Sequence, residues 1–241
     1  MNASPLAQTI SRNLERCTDR LAQAAARSGR AGDSVTLLAV TKYVSPEVVR
    51  ALYGAGVRDF GESRIQRAVG LAEELADLDA ARWHMIGHLQ RNKAKHAGMF
   101  HAIHSLDSER LALALERQLE ASLSVYVEVN VAGEERKTGL SEELLEALLE
   151  TLQTAGSHLN VVGLMTMAPH DPDPESSRPH FRRLRELRDT YQARGLLPVS
   201  AGLSMGMSND FHVAVEEGAT IVRVGSLLFE GTRPDSLIGA D

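Results

Sequence analysis

The chain has 241 residues, of which 43% are hydrophobic and 24% charged, and its formal net charge is −6 at neutral pH. This length fits one α/β barrel or two smaller domains, and the composition supplies enough apolar side chains for a sizeable core. The acidic balance argues against broad binding to nucleic acids or to anionic membranes, because both require a basic surface. A local positive pocket for a phosphate group remains compatible with it.

The sequence also indicates the cellular compartment in which the protein is expected. Cys17 is the single cysteine, so no intramolecular disulfide forms and a reducing, cytoplasmic environment is expected. No run of about 18 uncharged apolar residues is present, so we expect no membrane span. The first residues lack the apolar core of a secretory signal, and Glu15 and Asp19 within a regular apolar stripe favour a folded helix over an organelle presequence.

The first predicted element is an amphipathic helix within residues 1–30, where apolar side chains recur every three or four positions up to Gly29. Eight apolar or β-branched runs follow, separated by helical segments. The predicted strands are residues 35–42, 58–61, 82–87, 102–106, 124–131, 160–167, 199–203 and 220–224. The predicted helices between them are residues 46–53, 65–78, 92–99, 108–119, 141–154, 181–191 and 210–217. The proline-broken loop 170–174 is either a mobile lid or a loose connection.

Strands that alternate singly with helices pair in parallel through right-handed crossovers. Eight such units are the number that closes a barrel, and they leave no stretch for a second domain. An open doubly wound sheet is the alternative, but its glycine-rich dinucleotide loop after the first strand is unlike Thr41-Lys42-Tyr43. We therefore predict one domain over residues 1–241, a single (β/α)8 (TIM) barrel at residues 35–233 with an extra N-terminal helix.

Lys42 ends the first predicted strand, at the face where such barrels carry their functional groups. A partly desolvated amine is more readily uncharged, and a neutral amine attacks an aldehyde to form a Schiff base. Taken alone, the same pattern also suits a lysine that extends to solvent from the end of a core strand.

Two predicted loops, after the seventh and eighth strands, are rich in small and hydroxyl side chains. Residues 203–210 read Leu-Ser-Met-Gly-Met-Ser-Asn-Asp, and residues 223–228 read Arg-Val-Gly-Ser-Leu-Leu. Exposed N–H groups at such turns bind anions, and barrels commonly hold phosphates at these two loops. Either loop alone is also explained by ordinary turn chemistry. Together with Lys42, they predict a ligand that combines an aldehyde with a phosphate ester, and pyridoxal 5′-phosphate (PLP) is that ligand.

Several longer stretches resemble the pyridoxal-phosphate homeostasis proteins, which are single-domain relatives of the alanine racemase barrel. In chain order, these stretches are residues 38–42, 59–62, 83–93, 104–108, 163–165 and 203–208. The stretch from Trp83 to Lys93 and the run Ser-Met-Gly-Met-Ser at 204–208 are specific to that family. The resemblance spans nearly the whole chain in the expected order.

The resemblance implies a PLP site. Lys42 would carry the cofactor as a Schiff base, and Arg223 would face its pyridine nitrogen. The phosphate would be surrounded by Ser204, Ser208, Gly225 and Ser226. Met165 and Ser63 belong to the same implied site, although the family commonly has Asn at position 63, so the contact of that amide would be altered or lost. Because arginine stays protonated, it can only donate to the ring nitrogen, which keeps the ring a weaker electron sink.

Two other features carry competing interpretations. His84 and His88 would share one face of an extended strand, as metal ligands do, but no cysteine or His-Glu-x-x-His helix accompanies them, so we expect no metal site. Lys137, in the charged loop 133–139, either accepts or relays the cofactor or is a solvated loop lysine.

The leading functional hypothesis is a PLP-binding protein of intracellular vitamin B6 homeostasis, which sequesters the cofactor and delivers it without strong catalysis of its own. PLP-dependent apoenzymes would be the recipients, and a monomer is expected. The alternative is a PLP-dependent amino-acid racemase or a related fold-type III enzyme. It is disfavoured because, as the resemblance has it, the second base comes from a C-terminal β domain that the sequence lacks. An aldolase with a Schiff-base lysine and no cofactor is a third hypothesis, and it leaves both phosphate-like loops to the substrate alone.

Overall fold

The computed structural model describes residues 4–134, 138–153 and 158–232. Eight parallel strands form a closed barrel in chain order, and helices lie between them. The strands are β1 (Thr36–Val40), β2 (Asp59–Glu62), β3 (Arg82–Met85), β4 (Ala102–Leu106), β5 (Leu123–Glu128), β6 (Leu159–Met165), β7 (Gly202–Met207) and β8 (Ile221–Val224). The predicted (β/α)8 barrel is confirmed. The predicted boundaries at residues 1 and 233 lie outside the described residues, as does Lys137.

The helices of the described residues follow the predicted order. They are α1 (Pro5–Arg27), α2 (Pro46–Gly54), α3 (Ile65–Glu74), α4 (Glu109–Glu116), α5 (Glu142–Gln153), α6 (Arg178–Ala193) and α7 (Phe211–Glu216). The segment Arg91–Met99 is a 3₁₀ helix in place of the predicted basic helix between β3 and β4. The predicted end of the fifth intervening helix, at residue 154, lies outside the described part. No helix that the structure describes is long and apolar enough to cross a bilayer.

The extra N-terminal helix, α1, is confirmed and packs on the outside of the barrel against α2, α7 and the 3₁₀ turn after β8. The Ser4 hydroxyl accepts a hydrogen bond from the Ala7 N–H at 3.2 Å, and Pro5 occupies the first turn, so the helix has a defined start. The buried Asn13 donates from Nδ2 to the carbonyl oxygens of Leu228 and Glu230, at 3.1 and 2.8 Å. These two bonds fix the segment that follows the turn after β8.

The seventh strand begins and ends later than predicted. Instead of residues 199–203, β7 covers Gly202–Met207, and Val199 is 94% exposed in the connection before it. The β-branched Val199 suggested a strand, but the pairing with β6 places Leu203 opposite Leu164 and Ser204 opposite Met165. The segment 203–207 is therefore strand rather than loop, and Ser204 lies within the barrel wall.

The barrel interior combines a small apolar cluster with buried polar side chains. Its apolar members are Leu38, Ala102, Tyr126, Met165 and Ile221. Its buried polar neighbours are Asp59, His84, His104, Ser204 and Arg223. Barrels of this kind are usually filled by branched apolar side chains, so a polar set of this size calls for a functional explanation.

Candidate functional site

Lys42 lies in the turn directly after β1, on the face formed by the carboxyl ends of the strands. Pro46 begins α2 only a few residues later, which keeps this connection short. The Nζ atom of Lys42 lies 4.9 Å from the centroid of the Tyr43 ring, within the range of a cation–π contact. The side chain is partly exposed, so the amine is shielded on one side and accessible on the other.

Lys42 lines a cavity of about 370 Å³ between the turns that follow β1 and β8. The other lining residues are Val40, Tyr43, Val44, Gly225, Ser226 and Phe229. The lining therefore contains one cation, several apolar side chains and a Gly-Ser turn, and no carboxylate. This lining suits a small ligand that has an apolar ring and an anionic group. The apolar side chains can contact the ring, and the lining has no carboxylate that would repel the anion.

The turns after β7 and β8 touch each other. The hydroxyl of Ser208 accepts a hydrogen bond from the backbone N–H of Gly225 at 3.1 Å. Asp210 braces the first turn, since its Oδ1 accepts from the Met207 N–H at 2.6 Å and its Oδ2 accepts from the Ser177 hydroxyl at 3.0 Å. Three of the residues predicted to bind phosphate therefore lie together at the carboxyl end of the barrel: Ser208, Gly225 and the exposed Ser226.

Arg223, on β8, is 4% exposed and is held by Ser204 on β7 and by Thr166, which directly follows β6. Its Nη1 donates to the carbonyl oxygen and the hydroxyl of Ser204, at 2.9 and 2.7 Å, and its Nη2 donates to the Thr166 carbonyl at 2.9 Å. These bonds use three of the five guanidinium N–H groups and leave two without a bond to the described residues. Burial lowers the pKa of Arg223 to about 10, although the negative charges of Glu128 and Asp210 act to raise it. Because this pKa is still well above 7, the side chain is charged at neutral pH.

The other three predicted site residues lie in different surroundings. The Ser204 hydroxyl is fully buried between Arg223 and His104, away from the corner formed by the turns after β7 and β8. Met165 is also buried, in the apolar cluster of the barrel interior. Ser63 lines a neighbouring cavity with Met85 instead of the cavity that contains Lys42.

Sequence reasoning missed a buried carboxylate next to the lysine turn. Glu62 ends β2 with no exposed surface, accepts from the Thr41 hydroxyl at 2.6 Å, and lies 3.3 Å from Nε of Arg67. Burial raises the pKa of Glu62, whereas the Thr41 hydrogen bond and the charges of Arg67 and Lys42 oppose the increase. The signal was available in principle, because β1 and β2 were predicted as neighbours and Glu62 directly follows the second predicted strand.

The histidines singled out from the sequence take two different roles. His88 is exposed and pairs with Asp107, Nδ1 to Oδ2 at 3.0 Å, whereas His84 is buried in the barrel. Within the described ranges, no group of three or more His, Cys, Asp or Glu side chains is arranged to hold a metal ion.

Comparison with known proteins identifies the family. Residues 13–233 match the family described as "Alanine racemase, N-terminal domain". The pyridoxal phosphate homeostasis protein of Aquifex aeolicus is 46% identical over 221 residues, which cover 90% of this chain and 95% of that protein. The protein of the same name from Pseudomonas aeruginosa is 41% identical over 92% of this chain and 95% of its own length. The chain belongs to the pyridoxal phosphate homeostasis protein family.

Solved structures agree with this assignment. PipY of Synechococcus elongatus, determined with PLP bound, has 34% sequence identity and a TM-score of 0.80, over 91% of this chain and 99% of that one. A protein from Bifidobacterium adolescentis gives a TM-score of 0.84 at 35% identity, over 95% of this chain and 98% of that one. Alanine racemase of Corynebacterium glutamicum shares the fold alone, with a TM-score of 0.68 at 19% identity.

Proposed function

We propose that this member of the pyridoxal phosphate homeostasis family binds PLP at the carboxyl face of its barrel through a Schiff base with Lys42. Its role would be to hold the cofactor and deliver it in the cell's vitamin B6 homeostasis without strong catalysis of its own. The observation that carries the proposal is the cavity that joins Lys42 to the Gly225-Ser226 turn without a lining carboxylate. The names of the relatives and the PLP bound to PipY support it.

The residues of this chain fit each part of that cofactor. When bound, PLP supplies an aldehyde that an amine can attack and a pyridine ring that withdraws electrons. Ser208 and Ser226 would donate their hydroxyls to the phosphate, and Gly225, whose N–H already binds Ser208, would let the backbone approach it closely, with no acidic neighbour in the lining. We assign Ser204 to the support of Arg223, because its hydroxyl is already engaged there.

Arg223 would donate one of its two remaining N–H groups to the ring nitrogen. A guanidinium has no proton acceptor, so the ring nitrogen would stay unprotonated and the ring would withdraw electrons weakly. This favours holding the cofactor, or modest chemistry at the Cα–H bond of an amino acid, over transamination or decarboxylation.

The decisive experiment is borohydride reduction of the PLP-treated protein followed by peptide mass spectrometry. We expect a yellow wild-type protein with one reduced pyridoxyl-phosphate group on Lys42, and no visible band or adduct in Lys42→Ala. Lys95→Ala, an exposed lysine on the 3₁₀ helix before β4, is the matched control and should behave as wild type. A wild-type protein that stays colourless with added PLP, or an adduct on another lysine, would overturn the proposal.

A racemase role is the alternative, and Tyr43 is the one tyrosine among the residues that line the Lys42 cavity. Exchange of the α-proton of small amino acids for solvent deuterium separates the two roles. We expect no multiple-turnover exchange in the PLP-loaded protein, whereas robust exchange that is lost in Tyr43→Phe would favour the racemase. We also propose that the chain acts as a cytoplasmic monomer that supplies PLP-dependent apoenzymes, which light scattering and transfer assays would test.

A further inference from the structure

A continuous chain of hydrogen bonds runs through the barrel from Arg223 to the start of β2. The Ser204 hydroxyl, which accepts from Arg223, lies 2.8 Å from Nδ1 of His104. Nε2 of His104 lies 3.0 Å from Nδ1 of His84, and Nε2 of His84 lies 2.9 Å from Oδ1 of Asp59. The five residues of this chain come from β8, β7, β4, β3 and β2, so only the closed barrel brings them together.

Every member of this chain is buried, from Ser204 and His104 with no exposed surface to Asp59 at 6%. Buried polar groups are costly unless each is hydrogen-bonded, and apolar side chains of similar size would fill a barrel interior without that cost. Packing alone therefore does not explain the chain. Its charged and titratable neighbours are Arg82 on Asp59, His101 beside His84, Tyr126 stacked on His104, and Glu128 and Asp210 facing Arg223.

The residues at the two ends of this hydrogen-bond chain, Arg223 and Asp59, determine which atom donates in each bond between them. Arg223 can only donate, and the Asp59 carboxylate can only accept. With neutral imidazoles, one arrangement then satisfies every bond: Ser204 donates to Nδ1 of His104, His104 donates from Nε2 to His84, and His84 donates from Nε2 to Asp59. Burial is the main cause that lowers the pKa of His104 well below its usual value, and the charge of Arg223 adds to it, so that ring stays neutral.

We propose that Asp59, His84 and His104 are positioning residues that act through Ser204 to orient Arg223 toward the cofactor. The Ser204 proton is committed to His104, so Ser204 presents only lone pairs to Arg223, and both N–H groups of Nη1 are held on one residue. Without the Asp59 carboxylate, His84 and His104 can exchange tautomers. The Ser204 hydroxyl proton can then turn toward Arg223, and its partial positive charge repels the guanidinium. This inference rests on the proposed PLP binding.

Asp59 is well placed for a remote test. It stands at the amino-terminal start of β2 and lines, with Arg82, a surface pocket at the face opposite the carboxyl ends of the strands. A substitution there leaves Lys42 and the turns after β7 and β8 unaltered. Any effect on the cofactor site must therefore pass through the barrel interior.

The first experiment needs no cofactor. Long-range ¹H–¹⁵N spectra of the free protein should give the Nε2–H tautomer for both His84 and His104 at neutral pH. Asp59→Asn should abolish this single tautomeric pattern, because the isosteric amide offers both a donor and an acceptor. An imidazolium or an Nδ1–H tautomer at either ring of the wild type would overturn the assigned direction.

The second experiment measures PLP affinity and the pH at which the visible absorbance band changes. Asp59→Asn and His104→Gln should each weaken binding about tenfold, or ~1.4 kcal/mol, because a misoriented Arg223 would lose part of its hydrogen bond to the ring nitrogen. Both variants should also lower the pH at which the visible band changes, which is the pH at which the Schiff-base nitrogen loses its proton. A ring nitrogen that Arg223 no longer contacts can take up a proton, and this positive charge disfavours a second one on the Schiff-base nitrogen. Tyr126→Phe, which removes a hydroxyl from the ring stacked on His104 at 4.5 Å, is the control and should match wild type.

The outcomes are distinguishable. A wild-type protein that binds no PLP contradicts the proposed function. A wild-type protein that binds PLP, together with folded variants whose affinity and band midpoint equal those of wild type, overturns the positioning role alone. If His104→Gln does not fold, the isosteric Asp59→Asn carries the test. Weaker binding with an unchanged midpoint also overturns the role, because it indicates general damage to the barrel.

Discussion

Replacing Asp59 by Asn tests how strongly the barrel interior holds this carboxylate in its charged form. Burial by itself would raise the pKa of Asp59, but hydrogen bonds from His84 and Arg82 outweigh it and lower the pKa from 3.8 to about 2. The Asn side chain keeps the shape and does not titrate. The pH-dependent part of the stability difference between the two proteins therefore reports the interaction of the carboxylate with its two partners.

The magnitude follows from the two pKa values. A difference of about 1.8 corresponds to ~2.4 kcal/mol of stability at pH 7, since one pKa unit is worth about 1.36 kcal/mol. Because the folded-state pKa is depressed, this stability is fully present above the unfolded-state value of 3.8 and is lost as the pH falls through about 2. At pH 3 the contribution is ~1.3 kcal/mol, so the difference between wild type and variant narrows by ~1.1 kcal/mol.

Urea unfolding at pH 7 and pH 3, followed by far-ultraviolet circular dichroism, measures this difference directly. Tyr126→Phe is the interior control, because it perturbs packing next to His104 without removing an acidic group. A stability difference between wild type and Asp59→Asn that is equal at the two pH values would refute the assignment of a depressed pKa to Asp59.

Three further predictions concern other buried groups. Gly206→Ala should destabilise the protein by ~2–5 kcal/mol in urea unfolding, because φ is +90° and the new Cβ would lie 2.5 Å from Ala214 Cβ. Gly218→Ala, with a φ of +98° but no atom nearer than 3.5 Å, should cost only ~1–2 kcal/mol, and equal losses would contradict the clash. Burial and the charge of Asp59 raise the pKa of Tyr126 to about 12, so one tyrosine should resist ionisation in an ultraviolet titration, and this step should vanish in Tyr126→Phe. Burial also raises the pKa of the Cys17 thiol, so it should react with a thiol reagent much more slowly in the native protein than in urea, and fast native labelling would contradict its burial.

The order of strands and helices could be predicted from the sequence because each apolar run is bounded by turn residues and separated by a helical period. The boundaries of β7 could not. Its residues, Gly-Leu-Ser-Met-Gly-Met, include two glycines, which weaken the local strand signal, whereas Val199 just before them has a high strand propensity. Pairing with β6 and β8 decides the outcome, and that pairing is not visible in a local window. The error moved Ser204 from the barrel wall to a loop.

The two cations proposed for the site, Lys42 and Arg223, could be named from the sequence and its family resemblance, but the groups that hold them in place could not. Lys42 and Arg223 both stand near the ends of predicted strands. The turn that carries Lys42 is held by Arg67, whose Nη2 donates to the carbonyl oxygens of Thr41 and Val44 while its Nε faces Glu62. Thr41 and Val44 lie more than 20 positions before Arg67, so their proximity to it depends on how β1 and β2 pair, whereas Glu62 is a local neighbour at the end of the preceding strand.

The two cations are supported in opposite ways, and the difference matches their proposed chemistry. Glu62 is buried beside Lys42, but the permanently charged Arg67 already neutralises it, so the carboxylate does not depend on a protonated lysine for its counter-charge. An amine attacks an aldehyde in its neutral form, so it is poorly suited to be the required counter-charge of a buried carboxylate. Arg223 has the reverse requirement. Its bonds to Ser204 and Thr166 need all of its Nη1 hydrogens and one of its Nη2 hydrogens, so they hold the guanidinium charged and oriented. A barrel interior filled with apolar side chains would pack as well, but it would remove the Ser204 hydroxyl and leave Arg223 only the carbonyl oxygens of Ser204 and Thr166.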